Sequence, residues 1–552
     1  MPRPRRRLPG RAVVALVLLA LVASGCSLLE DDDAEPGAGG SAETTLPSAA
    51  TLLRVASADW PSCLNPLTCT DDAARTLVLQ HVVPKLMEVD AAGDYVPSPV
   101  LAGAPEVRVD RATGQQTIVF VLAEEARWHD GRPITSSDVK GTWMAHLDTP
   151  GAATPGHQLI AGVDDTDPLV ARVTLRSPWA DWPELFGGHE GWLLHADAFG
   201  GDTDLTGRFD DLVPFGAGPY ELVSFDERSL ILVGRDDHWD PDRQAQIDQV
   251  RIDHFPSIAA TDGEEADPAV PGGIDLLIPG ADLASVPDRF DLRSRPTAAV
   301  VGLLFDRRTA PLGSAGVRAA VAEALDRREL AGLAGADPSA LVTCAGWLPG
   351  DPACGDDLAE AGTSVEATDL LLELDGWPVR ADGRRGRPGL PLATPVSYDP
   401  TIDGADRIAA AVVDALVARG FAATAQPVTA ETWVRRDRQE GVGIGVYAPR
   451  LGTAARVAAL YGCSAVERNP LAWCDAAVED LVAQLLAAPD RARRDEVATE
   501  LAELAASSRS WLPLHQRQTR WLVDPTRIEV PDDAPLGSGP LGALHAHRRA
   551  DR

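Results

Sequence analysis

Lysine is nearly missing from this sequence, and so are the motifs of the common enzyme classes. Lys85 and Lys140 are the only lysines, and neither ends a Gly-x-x-x-x-Gly-Lys segment, which excludes a phosphate-binding P-loop. No His-Glu-x-x-His or Gly-x-Ser-x-Gly segment occurs, so nothing points to a zinc protease or a serine hydrolase. Beyond the leader, no apolar run reaches the roughly 18 residues of a membrane-spanning helix. We therefore expect a soluble body that is not an enzyme and holds no cofactor or metal.

Acidic residues are what the chain has in excess. It contains 82 aspartates and glutamates against 50 lysines and arginines, which gives a formal net charge of −32 over 552 residues. Five of the positive charges lie in the first 11 residues, and without them the net charge is about −37. Such a surface repels phosphate backbones, so we expect no nucleic-acid partner. The length exceeds what one hydrophobic core supports and indicates two or three lobes.

The N-terminus has the pattern of an export signal. A basic stretch over residues 3–11 precedes an unbroken apolar run over residues 12–23, and small residues follow. The run is too short to span a bilayer, and this order of basic, apolar and small residues is typical of a cleaved signal peptide.

The residues after the apolar run resemble a bacterial lipobox. Ser24 and Gly25 directly precede Cys26, although Ala23 stands where leucine is usual. The resemblance implies cleavage after Gly25 and a lipid on Cys26, which would anchor the chain to the outer face of the cell membrane. An ordinary secretory signal with an incidental cysteine is the alternative. Residues 26–50 are acidic and rich in Gly, Ser and Pro, which predicts a flexible linker.

The other cysteines form three close pairs in the sequence. An even set in an exported chain predicts disulfides, and each pair lies in a polar loop that contains Pro or Gly. Six cysteines allow many connectivities, and we favour the local one. A zinc site is the competing interpretation, but the Cys-x-x-Cys spacing is missing. The predicted pairs are Cys63 with Cys69, Cys344 with Cys354, and Cys463 with Cys474.

Apolar periodicity predicts strands and helices that interleave along the chain, which indicates an α/β architecture. Alternating apolar residues predict strands over 51–60, 115–128, 228–236 and 246–255. Helical spacing predicts helices over 71–90, 316–333, 406–420, 476–489 and 490–508.

The segment "ARWHDGRPITSSDVKGTW", residues 126–143, concentrates side chains that suggest chemistry. A structural interpretation accounts for all of them. His129 to Pro133 has the composition of a turn. Thr135 and Asp138 have the spacing of a capping box at a helix start, where Ser136 is an alternative cap. We therefore favour a structural role for His129 over a base or a metal ligand.

Five segments, in this order, resemble the motifs of one protein family. They resemble the family 5 extracytoplasmic solute-binding proteins, the oligopeptide, dipeptide and nickel binders of ABC importers. The resemblance covers nearly all of the chain after the linker. The segments are Pro99-Val100-Leu101-Ala102, "RWHDGRPITSSDVKGTW", residues 216–240 with Gly-Ala-Gly-Pro-Tyr, residues 316–330 with Val-Arg and Asp-Arg, and residues 510–530.

The resemblance implies an α/β, periplasmic-binding-protein-like clamshell of type II, with three lobes and mixed sheets. Two chain crossings between the first and third lobes would act as a hinge, and the ligand would bind between those lobes. The implied lobes are 51–86, 211–300 and 515–552 for lobe I, 87–210 for lobe II as an insert, and 301–514 for lobe III.

The implied function is that of a substrate-binding lipoprotein of an ABC importer. It would capture a small molecule or a peptide between two lobes and deliver it to a permease, while a separate ATPase subunit hydrolyses ATP. We expect a monomer that is held at the membrane by its lipid. A secreted lipoprotein hydrolase with an unrecognised carboxylate pair is one alternative, and a sensor or adhesin on the same fold is another.

One departure from the family concerns the ligand. Peptide binders of this group hold the ligand's ammonium with an aspartate in a late loop, whereas the matching stretch here, residues 443–456, has none. Tyr447 and Arg450 lie in this stretch, and Arg450 would repel an ammonium but grip a carboxylate or phosphate. Arg450 as a surface charge is the alternative.

Other candidates for ligand contact carry a structural alternative. Thr70, Asp71 and Asp72 follow the first strand, where the family places cleft residues, but an aspartate here also suits a helix cap. His515 follows "WLPL" on the last predicted strand, where packing is the alternative.

Some residues are expected to be structural. Arg318 and Asp326 are predicted to make pairs on one helix, Trp347 and Trp433 suit packing better than stacking on a ligand, and a frayed basic tail explains His545 and His547 better than a metal pair.

Overall fold

The computed structural model describes residues 51–550, except 70–72, 92, 153–155, 189–190, 256–272, 281–285, 337–340, 356–362, 430–442, 464–470, 472 and 533. The predicted signal peptide (1–25) and linker (26–50) lie outside the described residues. In the part of the chain that is described, each helix is too short or too polar to cross a bilayer.

The strands and helices interleave, as the periodicity predicts. The helices are α1 Ala73–Leu79, α2 Ser136–Asp148, α3 Ala315–Glu323, α4 Arg327–Leu333, α5 Val365–Leu374, α6 Ala405–Ala418, α7 Ala454–Tyr461, α8 Ala476–Leu486 and α9 Arg491–Ser508. The strands are β1 Leu52–Ser57, β2 Met87–Val89, β3 Tyr95–Pro97, β4 Glu106–Val109, β5 Gln116–Val121, β6 Ile160–Asp167, β7 Val170–Leu175, β8 Tyr220–Phe225, β9 Ser229–Gly234, β10 Gln249–His254, β11 Leu276–Ile278, β12 Asp291–Phe305, β13 Gly386–Arg387, β14 Leu390–Pro391, β15 Ala393–Tyr398, β16 Ala422–Pro427, β17 Ile444–Tyr447, β18 Trp511–Val523, β19 Ile528–Glu529 and β20 Arg548–Arg549.

One mixed sheet of ten strands runs through the molecule in the order β16-β15-β17-β12-β18-β11-β1-β10-β9-β8. Its middle is formed by two long antiparallel strands, β12 with 15 residues and β18 with 13. The lobe boundaries predicted at 300/301 and 514/515 fall inside these two strands. The strands therefore connect the two ends of the sheet directly, and the division into lobes stays a prediction.

A separate antiparallel sheet, β4-β5-β7-β6, packs beside α2. The segment 126–143 joins β5 to α2 as the sequence predicts. Asp138 anchors the start of α2, because its carboxylate accepts hydrogen bonds from the Thr135 N–H (2.8 Å) and from the Trp128 indole (3.2 Å). His129 faces the Gly218 carbonyl at 2.9 Å, which is a structural contact.

The core differs between the two ends of the large sheet. The N-terminal core contains buried side chains from residues 53–278 and from the last 32 residues of the chain, including Trp521, Leu541 and Leu544. Two other cores lie on opposite faces of the C-terminal end, because side chains alternate along a strand. In β12, Val300 and Leu304 face one core, which α7, α8 and α9 cover, while Val301, Leu303 and Phe305 face the other, which α3 to α6 cover.

The six cysteines pair locally, as predicted. Disulfides join Cys63 to Cys69, Cys344 to Cys354 and Cys463 to Cys474.

Three predictions of local structure are wrong. The predicted helix over 71–90 is only α1, because the chain turns after Leu79 and continues into β2. The single helix over 316–333 is two helices, because the chain turns after α3 and Asp326 caps α4 by accepting the Arg328 and Glu329 N–H groups at 2.9 and 3.1 Å. Arg318 does not pair with Asp326. Its buried guanidinium donates instead to backbone carbonyls, including Leu312 at 2.8 Å and Ser508 at 2.9 Å.

The C-terminal tail is packed rather than frayed. The side chain of His547 is fully buried, and its two ring nitrogens lie 3.2 Å from the carbonyls of Ala543 and Pro540. Leu541 and Leu544 are part of the N-terminal core. Arg549 contacts the buried carboxylate of Asp275 at 2.8 Å. Sequence reasoning gave weight to the basic residues at the end and missed these apolar anchors.

Candidate ligand-binding cavity

A cavity of about 1160 Å³ lies between residues from the two ends of the large sheet. We define the N-terminal wall as the lining residues within 57–280 and 535–546, and the C-terminal wall as those within 297–520. The volume slightly exceeds the roughly 300–1,000 Å³ that is typical of small-molecule pockets, so the cavity accommodates a large solute.

The N-terminal wall is rich in aromatic side chains, and contacts with other parts of the protein hold them in place. The Trp60 ring stacks on the His254 ring, with 5.0 Å between centroids, and its indole donates to the Asp226 carbonyl at 3.1 Å. The indole of Trp239 donates to the Ala217 carbonyl at 3.0 Å. Because their N–H groups are occupied, these rings offer chiefly apolar surface to a ligand.

The Gly-Ala-Gly-Pro-Tyr block, residues 216–220, contributes Ala217, Gly218 and Pro219 to the N-terminal wall. The N–H groups of Ala217 and Gly218 both donate to the Val82 carbonyl, at 2.9 and 3.1 Å. A Cβ atom at Gly218 would lie 2.1 Å from the His81 carbonyl oxygen. Glycine is therefore required for this close approach, which brings Ala217 to the surface of the cavity.

The C-terminal wall is rich in arginine. Arg450, Arg456, Arg517 and Arg520 all line it. Arg450 follows β17 and makes an antiparallel bridge to Ala299 of β12, and Arg517 belongs to β18. The Arg517 guanidinium donates to the Thr401 carbonyl at 3.2 Å.

Three acidic side chains of the cavity are engaged by arginines that also line it. Glu88 receives two hydrogen bonds of 2.7 Å from Arg243. Asp403 pairs with Arg520, and Glu184 lies 3.7 Å from Arg456. Glu184 also accepts a hydrogen bond from the Tyr95 hydroxyl at 3.3 Å within the N-terminal wall, so the contact that connects the two walls is the one with Arg456.

Two cavity histidines are neutral at physiological pH. Burial lowers the pKa of His81 to about 3, and the nearby His547 and His545 lower it further in the same direction. Burial also lowers the pKa of His238 to about 4. They add no positive charge to the cavity.

The residues that sequence reasoning selected lie at different distances from the cavity. Arg450 lines it. Tyr447 is buried and donates its hydroxyl to the Val428 carbonyl at 2.8 Å, outside the lining. His515 is also buried outside the lining, beside the Gln516 carbonyl at 3.3 Å. Thr70, Asp71 and Asp72 lie outside the described residues. Ligand contact by these residues stays a prediction.

The two tryptophans expected to be structural are Trp347 and Trp433, and only the first is described. Trp347 is fully buried in the core under α9, while Trp433 is outside the described residues. Among the residues described, a cluster with three potential metal ligands comprises Cys63, Cys69 and Asp210, but its two sulfurs are joined in a disulfide.

Several lining residues were missed from the sequence. Arg517 lies two residues after His515 on β18, where the pairing with β12 is irregular, so the alternation of a regular strand does not identify the lining residues. Lys85 and Trp60 carry no motif that distinguishes them from ordinary surface and core residues, and Trp239 lies in the family-like segment 216–240, for which no ligand contact was predicted. Only the meeting of distant strands brings them to one cavity.

The chain belongs to the bacterial extracellular solute-binding proteins, family 5. The family model, described as the middle part of these proteins, matches residues 97–454. Members of this family are binding proteins that serve ABC importers. The sequence resemblance is thereby confirmed.

Two mycobacterial relatives are similar in sequence. A probable monoacyl phosphatidylinositol tetramannoside-binding protein, LpqW of Mycobacterium tuberculosis (strain CDC 1551 / Oshkosh), is 25% identical over 396 residues, which are 69% of this chain and 60% of the relative. The match therefore spans less than two thirds of that relative's length. The oligopeptide-binding protein OppA of Mycobacterium bovis (strain ATCC BAA-935 / AF2122/97) is 24% identical over 477 residues, 82% of this chain and 76% of OppA.

A solved structure confirms the fold class. The periplasmic EDTA-binding protein EppA superposes with a TM-score of 0.77, covering 93% of this chain and 100% of EppA at 18% sequence identity. At that identity the likeness establishes the fold and leaves the ligand open.

Proposed function

We propose that this chain is the lipid-anchored, substrate-binding subunit of an ABC importer, which captures a small solute in the cavity and delivers it to a permease. The observation that carries the proposal is the cavity itself. It is lined by two walls from different parts of the chain, and the long strands β12 and β18 connect the two ends of the sheet that bear them.

The physical basis is a shift between open and closed conformations. A ligand that touches both walls binds the closed form better than the open form, and it shifts the balance by that difference in affinity. The contact of Glu184 with Arg456 crosses from one wall to the other, and opening of the cavity would break it. A permease then recognises the closed form, and the solute remains chemically unaltered.

The relatives are binding proteins, which supports the capture of a solute, but their names refer to different ligands. Their names refer to an oligopeptide, to EDTA and to a phosphatidylinositol mannoside. One fold therefore serves different ligands, and the side chains of the cavity must select the cargo of this chain.

Capture is tested by thermal unfolding of the mature chain with a panel of peptides, sugar acids, siderophores and metal chelates. A compound at a hundred times its Kd stabilises the folded state by about 2.7 kcal/mol, which raises Tm. Chemical conversion of such a compound would favour the hydrolase. A Tm that no compound raises would favour the sensor or adhesin.

The anchor is tested separately, because Cys26 lies outside the described residues. Wild-type protein is expected in the membrane fraction and a Cys26→Ala variant in the soluble extracytoplasmic fraction. An unchanged membrane association of the variant would remove the lipid from the proposal.

A further inference from the structure

Two buried carboxylates lie at one end of the cavity, where the two walls meet. The 3₁₀ turn Trp182–Phe186 carries Glu184, which lines the N-terminal wall, and Asp181 directly precedes this turn. Both acidic residues are buried, with 5% of Asp181 and 6% of Glu184 exposed. Two neighbouring carboxylates out of water destabilise a folded chain unless other groups satisfy them. The groups that do so come mainly from the other wall.

The Asp181 carboxylate reaches the first turn of α7, which carries part of the C-terminal wall. It accepts the Ala455 N–H at 3.2 Å, while Thr453 caps α7 from within by accepting the Arg456 N–H at 3.4 Å. The first N–H groups of a helix lack partners inside it and form the positive end of its dipole. An aspartate from one side of the cavity thus completes the cap of a helix from the other side. Ala455 also packs against the N-terminal core.

Two ion pairs reinforce this junction. The Glu184 carboxylate lies 3.7 Å from the Arg456 guanidinium, and both side chains are largely buried. Nearby, Asp94 of the turn between β2 and β3 pairs with Arg491 at the start of α9, at 3.0 Å. All of these contacts join protein groups to protein groups. They therefore favour the closed arrangement independently of a ligand.

The charges that face Asp181 come from several elements. Burial, and then the charge of Glu184, raise the pKa of Asp181 to about 7, while Arg494 of α9 and the N–H groups of α7 oppose the shift. Tyr95 of β3 stays uncharged, because burial raises the pKa of its hydroxyl. Arg456 faces Glu184 rather than Asp181. In an open form, where water reaches it, Asp181 would ionise near its usual pKa of about 4.

Closing of the walls is therefore coupled to a proton. Between about pH 4 and pH 7 the closed form keeps the proton on Asp181, whereas the open form releases it. The group has the higher pKa in the closed form, so its contribution to closure is complete in acid and is lost as the pH rises. The ratio of closed to open form falls by up to about tenfold for each pH unit in this window.

We infer that Asp181 and Glu184, together with the first turn of α7, form a latch that holds the two walls together without a ligand, strongly at acidic pH and weakly near neutral pH. A ligand enters an open cavity, so the latch would set the fraction of the chain that is ready to receive one. An extracytoplasmic binding protein meets the pH of its surroundings directly. The inference goes beyond the proposed function, because the latch acts on the empty chain.

The test measures the separation of the walls in the mature chain without ligand, at about pH 5, inside the window, and at about pH 8, above it. Spin labels on Arg108→Cys and Leu374→Cys, two exposed positions on β4 and α5, report the distance by double electron–electron resonance. A Cys26→Ala background removes the remaining cysteine that is not in a disulfide. We expect one distance at pH 5 and a second population with a different distance at pH 8.

Variants assign the pH response to the latch. Asp181→Asn cannot ionise and keeps an acceptor for the Ala455 N–H, so we expect the closed distance at both pH values. Asp181→Ala loses the contact and should show the second population at both. Arg456→Gln should enlarge that population while the response to pH remains. Asp414→Asn is the matched control, because Asp414 is exposed on α6, and it should behave like the wild type.

The outcomes either support the latch or overturn it. A wild-type distance distribution that is the same at both pH values would overturn it. An equal response to pH in wild type and Asp181→Asn would also do so, because other groups would then cause the response. The asparagine variant keeps this test decisive if the alanine variant does not fold, which its Tm reports. Solute capture is judged separately, since a compound can raise Tm whether or not the empty walls respond to pH.

Discussion

The two walls of the cavity differ in chemistry. The N-terminal wall presents Trp60, Tyr95, Trp192 and Trp239, whereas the described lining residues of the C-terminal wall include no aromatic side chain and four arginines. Contacts with an aromatic face are favourable because they exclude water, and salt changes their strength little. Contacts with a guanidinium are electrostatic, so salt weakens them. The difference suggests a division of roles, in which one wall contacts the body of the ligand and the other selects its charge.

The cores that support these walls differ as well. The N-terminal wall rests on a large core that includes the end of the chain and on a small core on the other face of the sheet, whereas the C-terminal end has two cores of similar size. The first wall therefore depends on contacts between residues far apart in sequence. The second wall is fixed by strands that are held from both sides.

The largest effect is expected where the tail completes the N-terminal core. Leu541→Ala is expected to lower the free energy of unfolding by about 2–5 kcal/mol, because the fully buried side chain leaves a cavity. Urea denaturation measures the change. Leu374→Ala is the control, since this side chain is 77% exposed and its loss costs at most about 0.5 kcal/mol. Equal costs for the two variants would mean that the tail is not part of the core.

A smaller loss of stability is expected in the core covered by α7, α8 and α9. Replacing Cys344 and Cys354 by serine opens a loop with a sequence separation of 10 residues, and the loss of this restraint is expected to cost about 3 kcal/mol. Comparison of denaturation midpoints with and without dithiothreitol measures it. A wild-type midpoint that does not respond to complete reduction would contradict the prediction.

A pH-dependent effect is expected where the walls meet. The Asp181 carboxylate is buried and accepts the Ala455 N–H of α7 at 3.2 Å. Burial, and then the charge of Glu184, raise its pKa to about 7, while Arg494 opposes the shift. An unfolded aspartate ionises near pH 4, so between about pH 4 and pH 7 the unfolded state loses its proton first and stability falls as pH rises.

Asp181→Asn tests this contact, because the amide keeps an acceptor oxygen for Ala455 and cannot ionise. The melting temperature of the wild type is expected to fall by a few degrees relative to the variant between pH 4 and pH 7. Parallel curves of melting temperature against pH for the two proteins would show that the carboxylate does not titrate in this range.

The smallest effect is expected at the aromatic wall. Trp60→Phe keeps a ring but loses part of its area and the hydrogen bond to the Asp226 carbonyl, so the affinity for a compound that raises Tm in the panel is expected to fall by about 1 kcal/mol or less. Calorimetry at low and high sodium chloride is expected to show an unchanged salt dependence for this variant and a reduced one for Arg517→Gln. The same loss of salt dependence in both variants would contradict the division between the walls.

Local patterns predicted much of the fold. The alternation in β1, β9 and β10 and the apolar spacing in α6, α8 and α9 each gave the correct element, because these segments bury one regular face. The capping residues of α2 were also predicted. The break at Asp326 was missed because apolar residues continue across it in helical register.

Less of the candidate site was accessible from the sequence. Arg450 was selected because residues 443–456 lack the aspartate that peptide binders of the family have in this loop. Such a difference is visible in a short stretch of sequence. Arg517 and Lys85 reach the same cavity only through pairing of distant strands, which no short pattern encodes. His81 was placed on a helix, but α1 ends at Leu79, and the following turn brings His81 to the cavity.

Small-angle X-ray scattering of the mature chain tests the central claim most directly, because closure of the two walls changes the distribution of interatomic distances. With a compound of the panel that raises Tm, at a concentration that calorimetry shows to be saturating, we predict a smaller radius of gyration than for the free chain. A compound that leaves Tm unchanged should also leave the radius of gyration unchanged. A radius of gyration that stays constant while the first compound is bound would contradict capture by closure.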